Sequence, residues 1–448
     1  MISKVLLLSP PYMQLSKPDF AIPKSLEKGI PYMNPGLLIS SAILNQLKID
    51  NQIIKIKDIH HLDELKDALD GERCPLIGIS CTAAWEYLES LRLAEYAKRK
   101  NPNAITLISG WQIKSIQSQV FSDSPYIDYA VIGDAETTLP SLISNINNKK
   151  NNSISGVLSK EKQSYPEVLP KVEFQILDFS KYPNYLDYVP YVEESRNCPC
   201  SCFFCLNSCV QDRYQIVPID IFKQNIERIE GLYGKDASAV LLAANFGVNK
   251  EETKKKLAYL KTKSLKWNME LHVDNPWDTY IDDLKEAGIT KLSIGFESAS
   301  PTMLRYMNKS RNIPNYLTRL TNMLQELKKR GIRVSLNTLF DFRETPETMQ
   351  ETISFLRQNK ELYSAAKMNY MFGFEGLFRQ HPDFVKYALI TPIGKRTHAY
   401  PLLPQGYTPQ KMVELIEQYE EEFKDKKIGQ QVPLKFKNNF LNQKNNRR

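Results

Sequence analysis

The chain has 448 residues, 42% hydrophobic and 25% charged, an ordinary balance for a globular protein of two or three domains. Its net charge of +8 is concentrated in the last 25 residues, where eight Lys or Arg face one Asp, leaving residues 1–423 at about +1. No nucleic-acid partner is therefore expected; that Asn- and Gln-rich tail reads as disordered, and no apolar run approaches the roughly 18 residues of a membrane span.

Lys4–Ser9 reads as a short apolar strand stopped by Pro10-Pro11. Its apolar part is too short for a signal peptide, so a cytoplasmic location with reduced thiols is the expectation. Helical periodicity follows over Pro35–Leu47, with Pro35 suited to a first turn. Gln52–Lys57 reads as a strand, Leu62–Leu69 as a helix, Leu76–Ser80 as a buried strand and Trp85–Lys100 as a helix. Strands at Ile105–Ser109 and Tyr129–Ile132 and a helix at Glu136–Asn145 complete residues 1–145. Strands alternating with helices predict a doubly wound, flavodoxin-like parallel sheet whose ligand lies at the carboxyl ends of the strands.

Residues 146–190, polar and then rich in Tyr and Pro, read as a linker at the domain junction. From 191 to 380 the alternation resumes. Strands are expected at Tyr191–Ser195, Ala239–Ala243, Asn268–His272, Lys291–Gly295, Arg333–Leu339 and Ala366–Met371. The clearest helices are Pro218–Leu232, Glu251–Ser264, Tyr316–Arg330 and Pro346–Gln358. An eight-unit barrel takes about 250 residues, so this stretch holds about six units, a partial barrel. Residues 381–448 form a C-terminal extension with one helix at Pro409–Phe423, whose acidic residues, Glu420 and Glu422 among them, read as a solvated face.

Five of the seven cysteines fall between Cys198 and Cys209, directly after the first barrel strand. Cys198, Cys202 and Cys205 are the one triple with gaps of three and then two. Thiolates are soft ligands for zinc or iron–sulfur clusters. A structural zinc site would show two Cys-x2-Cys pairs or later histidines; only one pair exists, and the next histidine is His272. Three thiolates on one short loop instead suit a cubane with one iron left over.

Here the chain resembles the radical SAM enzymes, in particular their cobalamin-binding branch. Cys198-x3-Cys202-x2-Cys205, with Phe204 in the aromatic position, is similar to the family's cluster loop, and Ser195-Arg196-Asn197-Cys198-Pro199 to its Ser-Arg-Gly-Cys-Pro. Gly295-Phe296-Glu297-Ser298-Ala299-Ser300 running on to Met307-Asn308-Lys309 resembles Gly-x-Glu-Ser-x-Ser…Met-Asn-Lys. Before the loop, Ser80-Cys81-Thr82, Gly110-Trp111 and Gly133-Asp134-Ala135-Glu136 are similar to the strand-end turns of the cobalamin domain.

The resemblance implies three cofactors: a [4Fe-4S] cluster on Cys198, Cys202 and Cys205, S-adenosylmethionine (SAM) on the remaining iron, and cobalamin. Barrel strand ends offer Asn245, Asp274, Glu297, Ser298 and Asn337, with Phe204, as SAM contacts. Ser80, Thr82, Gly110, Trp111, Gly133 and Glu136 are the cobalamin candidates. Thr82 and Asp134, like Ser300 before Pro301, also suit ordinary helix caps. No Asp-x-His-x-x-Gly follows the first strand, and His60 and His61 read as surface residues, so no lower axial histidine is implied.

Several family glycines are missing, which marks a divergent member, and the roles of Cys200 and Cys209 stay open. By resemblance the activity is C-methyl transfer to an unactivated carbon of a peptide or other small-molecule natural product, with electrons from a flavodoxin- or ferredoxin-type donor. Rearrangement, cyclisation or oxidation without methyl transfer, and a non-catalytic metal- or corrin-binding role, are the alternatives. No catalytic residue is assigned.

Overall fold

In the computed structural model the described residues are 2–11, 33–73, 75–150, 152–162, 171–210 and 213–423. The basic tail from 424 lies outside them.

The first sheet contains β1 (Val5–Ser9), β2 (Asn51–Lys55), β3 (Leu76–Ser80), β4 (Ile105–Ser109), β5 (Tyr129–Val131) and β6 (Val157–Ser159) in the order β2-β1-β3-β4-β5-β6. The first five are parallel. Every residue of Val5-Leu-Leu-Leu-Ser and of Leu76-Ile-Gly-Ile-Ser is buried, as expected of parallel strands covered by helices on both faces. The order reverses between β1 and β3, the crevice where doubly wound sheets take their ligands. β6 pairs antiparallel with β5 and comes from the stretch read as linker. The polar sequence around it gave no strand signal; an edge strand of three residues needs none.

The second sheet has the order β15-β14-β13-β12-β11-β10-β7. Its first strand, β7 (Tyr191–Glu193), leads into a two-residue antiparallel ladder of β8 (Ser195–Arg196) with β9 (Gln215–Ile216). Then come β10 (Ser238–Phe246), β11 (Lys266–Leu271), β12 (Ile289–Glu297), β13 (Arg333–Phe340) and β14 (Ala365–Phe374). These six main strands run parallel, and β15 (Ala399–Leu402) adds antiparallel to β14. Alternate residues such as Trp267, Met269 and Leu271 are buried, whereas Asn268 and Glu270 are not, the pattern of a barrel wall with helices outside.

The C-terminal helix Pro409–Glu422 corrects one expectation. Its Met412, Val413 and Ile416 join the main core. Glu420 accepts from Met368 N–H at 3.1 Å and Glu422 pairs with Arg357 at 2.7 Å. Glu420 thus serves the unpaired edge of β14, and this acidic face is not simply solvated. No described helix is long and apolar enough to cross a membrane.

The sheets meet by the loops at their carboxyl ends. Trp85, beyond β3, makes an edge contact with Phe372 of β14, centroids 6.2 Å apart. Gln112, beyond β4, donates to Thr397 O at 2.6 Å, and Ser115 accepts from Gly376 N at 3.0 Å. One apolar core runs through both sheets, bridged by Phe179 and Tyr182 of the connecting stretch.

Candidate functional site: the cluster loop and its junction with the first sheet

The stretch from Asn197 to Arg213 is pinched at its base by the β8–β9 ladder. Asn197 has φ of 63°, a left-handed conformation that Asn tolerates better than other side-chain-bearing residues. Its amide donates to Arg213 O at 3.0 Å, closing the base further. An Asn where the resembling motif has Gly is therefore explained by backbone geometry.

Above the base the loop is held by its own turn and by Met307-Asn308. Cys205 N–H donates to Cys202 O at 3.0 Å, and Phe203 N–H to Met307 O at 3.2 Å. Asn308 donates to Ser201 O at 2.9 Å, and the Ser208 hydroxyl bonds Cys202 O and Cys205 O at 2.6 and 2.7 Å. The Met-Asn-Lys segment, which follows the short helix Pro301–Tyr306 after β12, is thus a strut for the loop.

All three thiols are free. Cys202 is buried, and burial pushes its pKa up to about 11; burial likewise raises Cys205. Such thiols deprotonate as metal binds. Among the described residues no three His, Cys, Asp or Glu side chains close to the spacing of a single metal ion. A cubane spreads its thiolates over separate irons, so an eight-residue segment offering three thiols, Cys198 to Cys205, fits a cluster better than mononuclear zinc.

Cys200 is outside the triple's spacing but not apart from it in space: its thiol shares a hydrogen bond with Cys198, and its sulfur accepts from Asn245 at 3.6 Å. Cys209 sits on the helix Leu206–Val210, 3.5 Å from where a Cβ on Gly376 would stand. That position is packing toward helix Glu375–Gln380.

Lys309, the last residue of the Met-Asn-Lys segment, is central to the site. It is buried, with Nζ 3.1 Å from Glu297 Oε1 and 5.9 Å from the centre of the Phe204 ring. Burial opposes its charge, yet Glu297 and then Cys202 outweigh it and raise its pKa. Glu297 has φ of 65°, a conformation costing about 1–2 kcal/mol for such a residue and typical of functional sites. A Cβ on Gly295 would stand 2.6 Å from Glu297 Oε1, so the glycine makes room for the carboxylate to fold back.

Asn245 is buried and shares two hydrogen bonds with Asn275, which also donates to Phe246 O at 2.6 Å. His272 accepts from Asp274 N at 3.1 Å; burial and then the Lys309 charge drop its pKa to about 3, so it stays neutral. The structure therefore gathers the three thiols, Phe204, Asn245 and Glu297 around Lys309. The other SAM candidates are more distant in role. Ser298 is fully buried, bonding Thr352 Oγ1 at 3.0 Å and accepting from Ser300 N. Asn337 donates to Ser293 at 3.0 Å, and Asp274 accepts from Arg311 N at 3.4 Å.

At the first sheet, Gly110 has φ of 125°, and a Cβ there would stand 2.2 Å from Cys81 O, which excludes any side chain and leaves a bare backbone cradle. Ser80 accepts from Asn34 at 2.6 Å, and the Thr82 hydroxyl and N–H both donate to Glu86, at 2.8 and 2.6 Å. Thr82 thus bonds the helix's own glutamate, close to the cap reading. Trp111 is half-buried under Lys114, 5.1 Å from its ring. Ser300 and Asp134 occupy N-cap positions but make no side-chain cap bond. His60 and His61 are exposed.

The Glu136 side chain is buried and is paired with a single cation. Its one charged neighbour of note is Arg196, whose Nη2 lies 3.0 Å away. Arg196 also forks onto Glu193 at 2.7 and 2.8 Å and reaches Asp134 at 3.4 Å. Gly110 follows β4 and Glu136 lies beyond the neighbouring β5, so a bare backbone turn and a buried carboxylate both stand past the carboxyl ends of adjacent strands, where an amide-rich ligand such as cobalamin fits.

A doubly wound sheet and a partial barrel joined at a three-cysteine loop define a radical SAM architecture with a corrin-binding domain. The comparisons agree: the family described as the radical SAM superfamily matches residues 192–356 and the B12-binding domain matches residues 31–143. The chain belongs to the radical SAM enzymes that carry a cobalamin-binding domain, and a [4Fe-4S] cluster, SAM and cobalamin are the cofactors of that family.

The chain is 24% identical over 302 residues to "Uncharacterized methyltransferase PH0819" of Pyrococcus horikoshii, covering 63% of this chain and 64% of that protein. It is 24% identical over 374 residues to the anaerobic magnesium-protoporphyrin IX monomethyl ester cyclase of Rubrivivax gelatinosus, covering 74% and 64%. It thus spans just under two thirds of the length of these relatives. In fold it is similar to the radical SAM methyltransferase TsrM of Kitasatospora setae, solved with cobalamin and a [4Fe-4S] cluster. That match has a TM-score of 0.65 at 15% identity and covers 83% of this chain and 72% of that one.

Proposed function

We propose that this protein is a cobalamin-dependent C-methyltransferase acting on an unactivated carbon of a small-molecule or peptide substrate. The observation that supports it most is the apposition of the two sheets' carboxyl ends, where Arg196 of the cluster loop's base meets Glu136 of the first sheet. A substrate at that junction reaches both cofactor sites. When bound, the cofactors supply radical generation and methyl transfer.

The protein's part is placement. Cys198, Cys202 and Cys205 hold the cluster, and Asn308 and Ser208 fix their loop. Lys309 and Glu297 supply a positive and a negative group suited to the carboxylate and ammonium of SAM, with Asn245 offering an amide beside them. Gly110 and Glu136 receive cobalamin, and no histidine is placed to ligate its cobalt. Phe179 packs edge-on against Tyr191 at 5.8 Å, and both belong with Tyr182 to the apolar core behind the junction. An acidic carrier protein supplies the electron.

The test is anaerobic reconstitution with iron, sulfide, cobalamin, SAM and reductant. Methyl transfer yields S-adenosylhomocysteine together with 5′-deoxyadenosine. The cyclase among the relatives favours a second reading, ring formation or oxidation without methyl transfer; that outcome yields 5′-deoxyadenosine and no S-adenosylhomocysteine. Neither nucleoside product would leave a non-catalytic metal- or corrin-binding protein.

A further inference from the structure

The cluster loop has another face, to which no residue of the first sheet contributes. A cleft of about 540 Å³ opens there, lined by Ser201, Phe203 and Ser208 of the loop together with Tyr306, Arg343 and Phe384. Cys202 stands between two of these lining residues in the chain. The Arg343 guanidinium lies over the rings of Phe203, Tyr306 and Phe384, at 4.3, 4.7 and 5.6 Å, and is held by the buried Asp341 at 2.8 Å.

The rim of this cleft is unusually apolar. Among the described residues seven large hydrophobic side chains are exposed, and five belong to this rim: Tyr306, Val385, Tyr387, Leu389 and Ile390, each between 40% and 52% exposed. Tyr387 stacks on Phe342 at 4.7 Å, and Phe342 abuts Phe384 at 5.1 Å, so the patch and the cleft are continuous. Apolar patches of this kind mark interaction surfaces. The charged side chains exposed along 301–308 and 379–390 are Arg305, Arg379 and Lys386 against Asp383, with Arg343 a further cation inside. An apolar centre edged by cations is complementary to an acidic protein with an apolar docking face.

We propose that this face docks a small acidic one-electron carrier of the flavodoxin class. The inference rests on the radical SAM reading, in which an electron must enter the cluster from outside, and it deepens that reading by assigning the entry side. The carrier passes from anionic flavin hydroquinone to neutral semiquinone, losing one electron and no proton. The cluster gains that electron, and no bond is made or broken.

The experiment uses full-length reconstituted enzyme and a bacterial flavodoxin. Affinity for oxidised flavodoxin, which cannot donate, is measured at low and high salt for wild type, the double variant R305E/K386E and the variant I390D. Wild type is expected to bind, with affinity falling as salt rises. Both variants should weaken binding by about tenfold or more, the charge reversal also flattening the salt dependence. Formation of 5′-deoxyadenosine driven by reduced flavodoxin should fall in step, while formation driven by dithionite should be unchanged.

Equal binding by wild type and variants, or none by wild type, overturns the proposal. So does self-association that I390D abolishes in a sedimentation run, since the face would then belong to a second copy. Failure of wild type to form 5′-deoxyadenosine even with dithionite refutes the radical chemistry instead, and the binding arm still reports on the surface.

Discussion

Arg196 Nη2 stands 3.0 Å from Glu136 Oε1, so the base of the cluster loop and the last helix of the first sheet are tied by one buried ion pair. Burial raises the Glu136 pKa, and the Arg196 charge opposes that rise. Arg196→Ala leaves three carboxylates without their cation, Glu136 buried and Asp134 and Glu193 largely so. It should cost about 3–5 kcal/mol of stability in urea unfolding and loosen cobalamin retention on gel filtration. Arg196→Lys should not restore both, because a single ammonium cannot reproduce the fork onto Glu193 and still reach Glu136.

Asn197 is the second test of the loop's base. Asn197→Gly should leave cluster content near wild type, since glycine enters the left-handed region freely. Asn197→Val should lose about 1–2 kcal/mol from backbone strain and more from the hydrogen bond to Arg213 O. Iron and sulfide per chain after reconstitution, beside a thermal melt, separate the two variants.

The cysteines divide into three and two. Replacing Cys198, Cys202 or Cys205 by Ala should abolish the charge-transfer absorption near the visible range and the bound iron. Cys209→Ala should retain both, because its side chain packs toward helix Glu375–Gln380. Cys200→Ala should retain the bound iron as well, its thiol bonding Asn245 and Cys198 instead of iron.

Lys309→Met removes the cation opposite Glu297 without a large change of volume. Cluster content should fall, and the SAM dissociation constant from calorimetry should rise by about tenfold or more, a loss typical of a charge-assisted contact. Lys309→Arg should recover only part, since Gly295 and Glu297 leave little space around Nζ.

His398 ties the C-terminal extension to the first sheet: its Nε2 lies 2.6 Å from Asp123 Oδ2, which also accepts from Tyr87. Burial opposes the ring's charge, but the bonds to Asp123 and Glu375 prevail and hold its pKa at about 9. A histidine raised on folding stabilises fully below its unfolded pKa of about 6.5 and loses that contribution as pH climbs through about 9. His398→Gln should therefore be less stable than wild type by up to about 3 kcal/mol near pH 6, with the difference shrinking toward nothing above pH 9.5. Melting curves across pH read this directly.

The strands of both sheets were legible because each is an uninterrupted apolar run or a strict alternation, patterns that depend on local spacing alone. β6 and β15 were not: each is short, lies at an edge and takes its conformation from the strand it joins. The solvated-face reading of the last helix failed for a related reason. Glu420 serves an unpaired N–H 52 residues away in sequence, and periodicity carries no trace of that.

Sequence alone determined the alternation of elements and the three-cysteine spacing, because ligand gaps and apolar periods are written in consecutive residues. Tertiary structure alone decided which polar residues meet. Lys309 beside Glu297, Arg196 beside Glu136 and the cationic apolar rim around Phe203 each join segments whose approach is set by packing of two sheets, and no local pattern records it. Ser298 makes the same point in reverse: its motif suggested a ligand contact, and the backbone turn after Glu297 sends its hydroxyl into the core instead.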